Sequence, residues 1–84
     1  MNEREEIADG VRRIVAEVLD EPVGALDENP ILAAHEWDSL ASLEALAQLE
    51  SEFAVTLDLR SFHAARTVDD MVDLVAQSRP APTR

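Results

Sequence analysis

Three stretches of this chain place their apolar residues three and four positions apart, and that spacing restricts it to packed helices. In residues 3 to 19 the series is Ile7, Val11, Ile14, Val15 and Val18. Asn2 is placed to cap this helix, with Glu5 three positions on in capping-box position, and Pro22 and Gly24 mark its end. In residues 39 to 53, Leu46, Leu49 and Phe53 form one stripe, and Leu40, Leu43 and Ala47 form a second beside it. Asp38 is the expected N-cap. A last helix starts at Thr67, with Asp70 in capping-box position and Val68, Met71, Val72 and Val75 as its apolar face.

The segments between these helices are less regular. Residues 20 to 38 show no period, and Pro22, Gly24, Asn29 and Pro30 are expected to break any helix there. A connection this long is unusual in a small domain and is generally functional or disordered. Val23, Leu26, Ile31, Leu32 and Trp37 predict that it is tacked onto the bundle. Val55-Thr56-Leu57 reads as β-like but is too short to found a sheet. A short helix is expected at Leu59 to Ala64. The fold class predicted is all-α: a small four-helix bundle, three main helices plus a short third one, with a long loop between the first and second. The domain spans residues 1–78, and 79–84, with Pro80 and Pro82, read as a disordered tail.

The 84 residues leave room for one domain. With 46% apolar residues but only 4% aromatic, the core must be built from aliphatic side chains, with Phe53, Phe62 and Trp37 as its few large pieces. Asp and Glu number 18 against 7 Arg and no Lys, a net charge of −11. Such a surface repels nucleic acid and anionic lipid, and favours basic protein surfaces as partners. Acidity also serves solubility, so charge alone does not choose between these uses. There is no Cys, hence no disulfide and no protein thiol. The acidic start lacks a basic n-region and an apolar h-region, and no apolar run reaches membrane-spanning length, so a cytoplasmic protein is expected.

The chemistry-bearing segment is Glu36-Trp37-Asp38-Ser39-Leu40-Ala41, where the long loop meets the second helix. Ser39 falls in the first turn, where unpaired N–H groups and the positive end of the helix dipole suit a phosphate. Asp38 adds opposing charge, so capping and recognition are its expected roles. The dipeptide alone reads equally as a plain helix start. The two stripes of the second helix also leave two outcomes open: part of the helix meets a partner, or the bundle covers both sides.

Asp38-Ser39-Leu40, Leu43-Glu44 and Leu49-Glu50-Ser51-Glu52-Phe53 together resemble the acyl carrier protein family, whose pattern is Asp-Ser-Leu opening an acidic helix that closes on Leu-Glu-x-Glu-Phe. The resemblance extends over helix order, acidity and length, and implies a freestanding carrier that is not an enzyme. By it, Ser39 would bear 4′-phosphopantetheine transferred from coenzyme A, and the arm's thiol would hold the acyl group as a thioester. Asp38 and Leu40 would be read by the phosphopantetheinyl transferase. Glu44 and Glu50 would meet basic residues of synthase enzymes such as a ketosynthase, acyltransferase or acyl ligase, with Leu43 and Ala47 at the apolar centre and Trp37 beside it. The acyl chain would rest against Leu46, Leu49 and Phe53 or hang free. A monomer is the default.

The chain departs from the family pattern in two places. His35-Glu36-Trp37 stands where Leu-Gly-x is common, and Arg60, His63 and Arg66 lie where the family tends to be acidic. The Gly-Gly-His-Ser-Leu pattern of peptidyl carriers is also missing. A polyketide or related secondary-metabolism carrier is therefore expected ahead of a fatty-acid or peptidyl one.

Three other readings compare poorly or differ in a testable way. Ser39 as a nucleophile with His35 or His63 as base lacks the flanking glycines of a nucleophile elbow. Two distant His and no Cys make no zinc set, and Asp27-Glu28-Asn29 lacks the spacing of a calcium loop, so each His is expected at the surface. An unmodified acidic interaction module would share every bulk property, and only modification of Ser39 separates it.

Overall fold

The computed structural model describes residues 3–29, 31–35 and 37–78. The Asn2 cap and the 79–84 tail lie outside these residues. Helix α1 is Glu3–Leu19, and its buried residues Ile7, Val11, Ile14 and Val15 lie on the predicted face. It ends without glycine. Asp20 takes the left-handed conformation (φ 58°), and the Asp20 and Glu21 amides return to the carbonyls of Glu17 and Ala16 at 3.2 and 2.9 Å, a Schellman closure.

The loop that follows corrects the sequence reading. Pro22 and Gly24 do not exclude a helix: α2 spans Val23–Glu28, with Pro22 as its extended N-cap residue. Proline is tolerated at a helix start because its missing N–H would have had no intrahelical acceptor there. α2 buries Leu26, and a 3₁₀ turn at Leu32–His35 buries Leu32. These two anchors hold the connection on the bundle, as its apolar residues predicted.

Helix α3 is Ser39–Phe53, α4 is Leu59–Ala64 and α5 is Val68–Ser78, within the predicted bounds. Their caps are local and legible. Asp58 accepts from the backbone and hydroxyl of Ser61, and the amide bond, followed by the hydroxyl, holds its carboxyl below the usual range. Thr67 and Asp70 close the expected capping box: Thr67 Oγ1 accepts the Asp70 amide at 3.1 Å, and Asp70 Oδ2 accepts the Thr67 amide at 3.3 Å. Val55-Thr56-Leu57 forms neither helix nor strand and founds no sheet, and an isolated antiparallel bridge joins Ile31 to Thr67.

α1 packs against both α3 and α5, and α4 closes the remaining side against α3 and α5. The core is aliphatic, as composition required, with Phe62 its largest fully buried side chain. Trp37 is half-buried, its ring tilted 58° against Phe62 with centroids 6.5 Å apart. Phe53 is also half-buried, and its ring lies over Gly10 of α1. Among the described residues, no helix is long and apolar enough to cross a membrane.

Candidate functional site

Asp38 is extended (φ −122°, ψ −176°), and its Oδ1 accepts the Ala41 amide at 2.8 Å. That bond turns the chain from loop to helix and makes Ser39 the first helical residue, exposed to solvent. The Ser39 and Leu40 amides sit in the first turn, where no intrahelical acceptor exists, at the positive end of a 15-residue helix. One turn on, Ser42 is buried, with its Oγ 3.4 Å from Nδ1 of His63 on α4. Of these two serines Ser42 is buried and Ser39 exposed, so Ser39 is the one that a large group can reach.

The two stripes of α3 also divide. Leu49 is fully buried and Leu46 and Phe53 pack partly against the core. Leu40 and Leu43 are 66% and 46% exposed, and Ala47 is exposed with them. Glu44 lies exposed beside this strip. With its cap, α3 carries four carboxylates and no basic residue. An apolar strip bordered by Glu44 therefore runs down the helix from Ser39.

Glu50 has an internal use instead of joining Glu44 there. It is half-buried and its Oε2 accepts the Leu57 amide. His35 corrects another expectation: it is buried (8% exposed), not a surface residue. Its Nε2 lies 2.6 Å from the Asn29 carbonyl and its Nδ1 2.8 Å from Glu21 Oε1. Both partners are acceptors, so the ring is satisfied only when both nitrogens carry protons. The Asn29 carbonyl, followed by the Glu21 carboxylate, raises its pKa above the ordinary value. Nothing in the local pattern signalled this, because Glu21, Asn29 and His35 meet only once the loop has folded. Beside them a cavity of about 210 Å³ opens between Val18 and Leu19 of α1 and Leu40 and Glu44 of α3.

A helical bundle with an exposed serine at a capped helix start and an apolar strip bordered by Glu44 has the form of a carrier that is read by other proteins. Residues 9–75 match the family described as phosphopantetheine attachment site. Acyl carrier protein 3 of Ralstonia nicotianae (strain ATCC BAA-1114 / GMI1000) is 36% identical over 70 residues, which cover 82% of this chain and 80% of that protein. The chain belongs to the acyl carrier protein family. It is a carrier with covalently attached 4′-phosphopantetheine, not an enzyme, and its partners include a phosphopantetheinyl transferase and synthase enzymes.

Proposed function

We propose that Ser39 is the attachment point and that the chain carries acyl intermediates of polyketide or related secondary metabolism, as a cytoplasmic monomer. The observation that carries the attachment is the exposed Ser39 hydroxyl at the capped start of α3. In loading, Ser39 Oγ gives up its proton and bonds to the pantetheine-bearing phosphorus of coenzyme A, and adenosine 3′,5′-bisphosphate leaves. Once attached, the arm supplies the thiol that holds the acyl group, a thiol this cysteine-free chain lacks. Asp38 holds Ser39 at the helix end, where the first-turn amides offset phosphate charge.

Leu40, Leu43 and Ala47 form the apolar centre of the docking face, and Glu44 its charged rim. Exposed charge speeds encounter with basic partners while adding little affinity, so the carrier can leave each enzyme it visits. The secondary-metabolism reading rests on the departures at His35 to Trp37 and at Arg60, His63 and Arg66.

The test is intact-protein mass after incubation with coenzyme A and a broad-specificity phosphopantetheinyl transferase. Wild type gains one phosphopantetheine, and Ser39→Ala gains none while keeping its helical circular dichroism. A gain that persists in Ser39→Ala moves the attachment elsewhere. No gain with several transferases, on folded protein, rejects the reading.

A further inference from the structure

The buried serine of α3 marks where α4 approaches the exposed one. Ser42 Oγ stands 3.4 Å from Nδ1 of His63. Residues three apart on a helix are neighbours, with Cβ atoms about 5–6 Å apart, so Ser39 lies one turn from that contact. His63 is exposed, and among the described residues only its Nδ1 has a hydrogen-bond partner. With the Nδ1 hydrogen donated to the Ser42 hydroxyl, Nε2 is left to take up a proton and offer it to an anion.

The charge along α4 is unlike that of the rest of the chain. The net charge is −11, yet residues 59–66 hold Arg60, His63 and Arg66 and no carboxylate. All three are exposed, and none has an ion-pair partner among the described residues. Arg12 and Arg13, by contrast, pair with Asp9, Asp27 and Glu52. Asp58 and Asp70, on either side of the segment, are turned to other donors: Asp58 accepts from Ser61, and Asp70 from the Arg66 and Thr67 amides.

The two sides of Ser39 therefore differ in what they offer an anion. Toward α1 lies the cavity bordered by Asp38 and Glu44, and its imidazole, His35, is already held between Glu21 and Asn29. Toward α4 stands His63. Ser42 and Glu44, two positions apart, belong to different sides of α3. A phosphodiester on Ser39 adds negative charge next to Asp38, and the first-turn amides offset only part of it. An imidazolium one turn away offsets more.

We infer that His63 pairs with the phosphodiester that joins the arm to Ser39 and thereby directs the arm over α4. His63 is a positioning residue and makes no bond to the acyl group. This rests on the reading of Ser39 as the attachment point.

The test compares apo-protein with protein loaded from coenzyme A by a broad-specificity transferase, each verified by intact mass. The two imidazoles of the chain are followed by proton NMR from mildly acidic to mildly alkaline pH and told apart with His63→Gln. The His63 midpoint is expected to rise on loading by about 0.2–0.7 on the pH scale, the range of one exposed ion pair. The sign follows because a nearby anion favours the charged ring. Asp38 and Glu44 on α3, Asp69 and Asp70 on α5, and Arg60 and Arg66 are present in both forms, so the difference isolates the phosphodiester. The phosphorus resonance belongs to a group that stays ionised over this range. It is expected to move with the His63 midpoint and to lose that movement in His63→Gln. Arg60→Gln should move both forms alike and keep their difference. Equal His63 midpoints in the two forms, a phosphorus resonance that follows pH unchanged in His63→Gln, or a difference that vanishes in Arg60→Gln overturns the inference while leaving the Ser39 reading intact. A chain that takes no arm fails at the mass step and overturns both.

Discussion

The carboxylate of Glu50 accepts the backbone amide of Leu57 at 2.8 Å, across the turn that ends α3. The Glu50 carbonyl also accepts the Ala54 and Val55 amides, the latter at 3.2 Å. One residue thereby closes the turn that buries Val55 and Leu57. Glu44, six positions earlier, is exposed and has no such duty.

The two glutamates therefore separate by experiment. Glu50→Ala is expected to lower stability by about 1.5–3 kcal/mol, the worth of a hydrogen bond to a charged group, as read from urea melts. Glu44→Lys should leave stability within about 0.5 kcal/mol of wild type. It should instead slow reactions with basic partner enzymes and flatten their salt dependence. Unchanged kinetics in Glu44→Lys would remove that residue from the docking face.

His35 ties stability to pH. Its folded pKa is raised, so the stabilisation is fully present below the unfolded value of about 6.5 and is lost as pH rises through the folded value. Glu21 faces the ring directly, and Asp38 and Glu44 border the same cavity. Thermal melts from mildly acidic to mildly alkaline buffer should show wild type losing stability as pH rises. His35→Gln should be less stable at the acidic end and approach wild type at the alkaline end. A constant gap between the two proteins across the range would contradict a doubly protonated ring.

Two helix ends carry strained residues where glycine is usual. Ala54 sits at φ 54°, ψ 47°, and Asp20 at φ 58°. The left-handed conformation costs an ordinary residue about 1–2 kcal/mol, partly offset in a glycine variant by the greater freedom of its unfolded chain. Ala54→Gly is expected to stabilise by about 0.5 kcal/mol, and Asp20→Gly by less, since Asp tolerates this region better than Ala. Chemical denaturation checks the order, and a destabilised Ala54→Gly would refute it.

Gly10 and Phe53 should behave as a coupled pair. A Cβ on Gly10 would stand 2.5 Å from Phe53 Cζ, so Gly10→Ala displaces the ring and is expected to destabilise by about 1 kcal/mol. With Phe53→Ala the obstacle is gone, and the same change should stabilise by about 0.5–1 kcal/mol through helix propensity. A double-mutant cycle reads the change of sign, and an unchanged sign would mean that the ring does not rest on Gly10.

Much of the bundle was legible because its determinants are local. Asp38 reaches the Ala41 amide and Thr67 exchanges bonds with Asp70 over three positions, and such spacings are visible in a linear string. The apolar periods of α1, α3 and α5 likewise belong to single helices, and the Asp-Ser-Leu start of α3 needed nothing beyond its neighbours. α2 was missed because Pro22 at a helix start is indistinguishable by identity from Pro22 as a breaker. Which stripe of α3 is buried depended on where α1 and α4 pack against it. The burial of His35, the inward use of Glu50 and the approach of His63 to Ser42 each join residues on different segments. Periodicity and capping act over one or two turns, whereas burial and charge pairing are set by distances that exist only after the loop and helices have packed together.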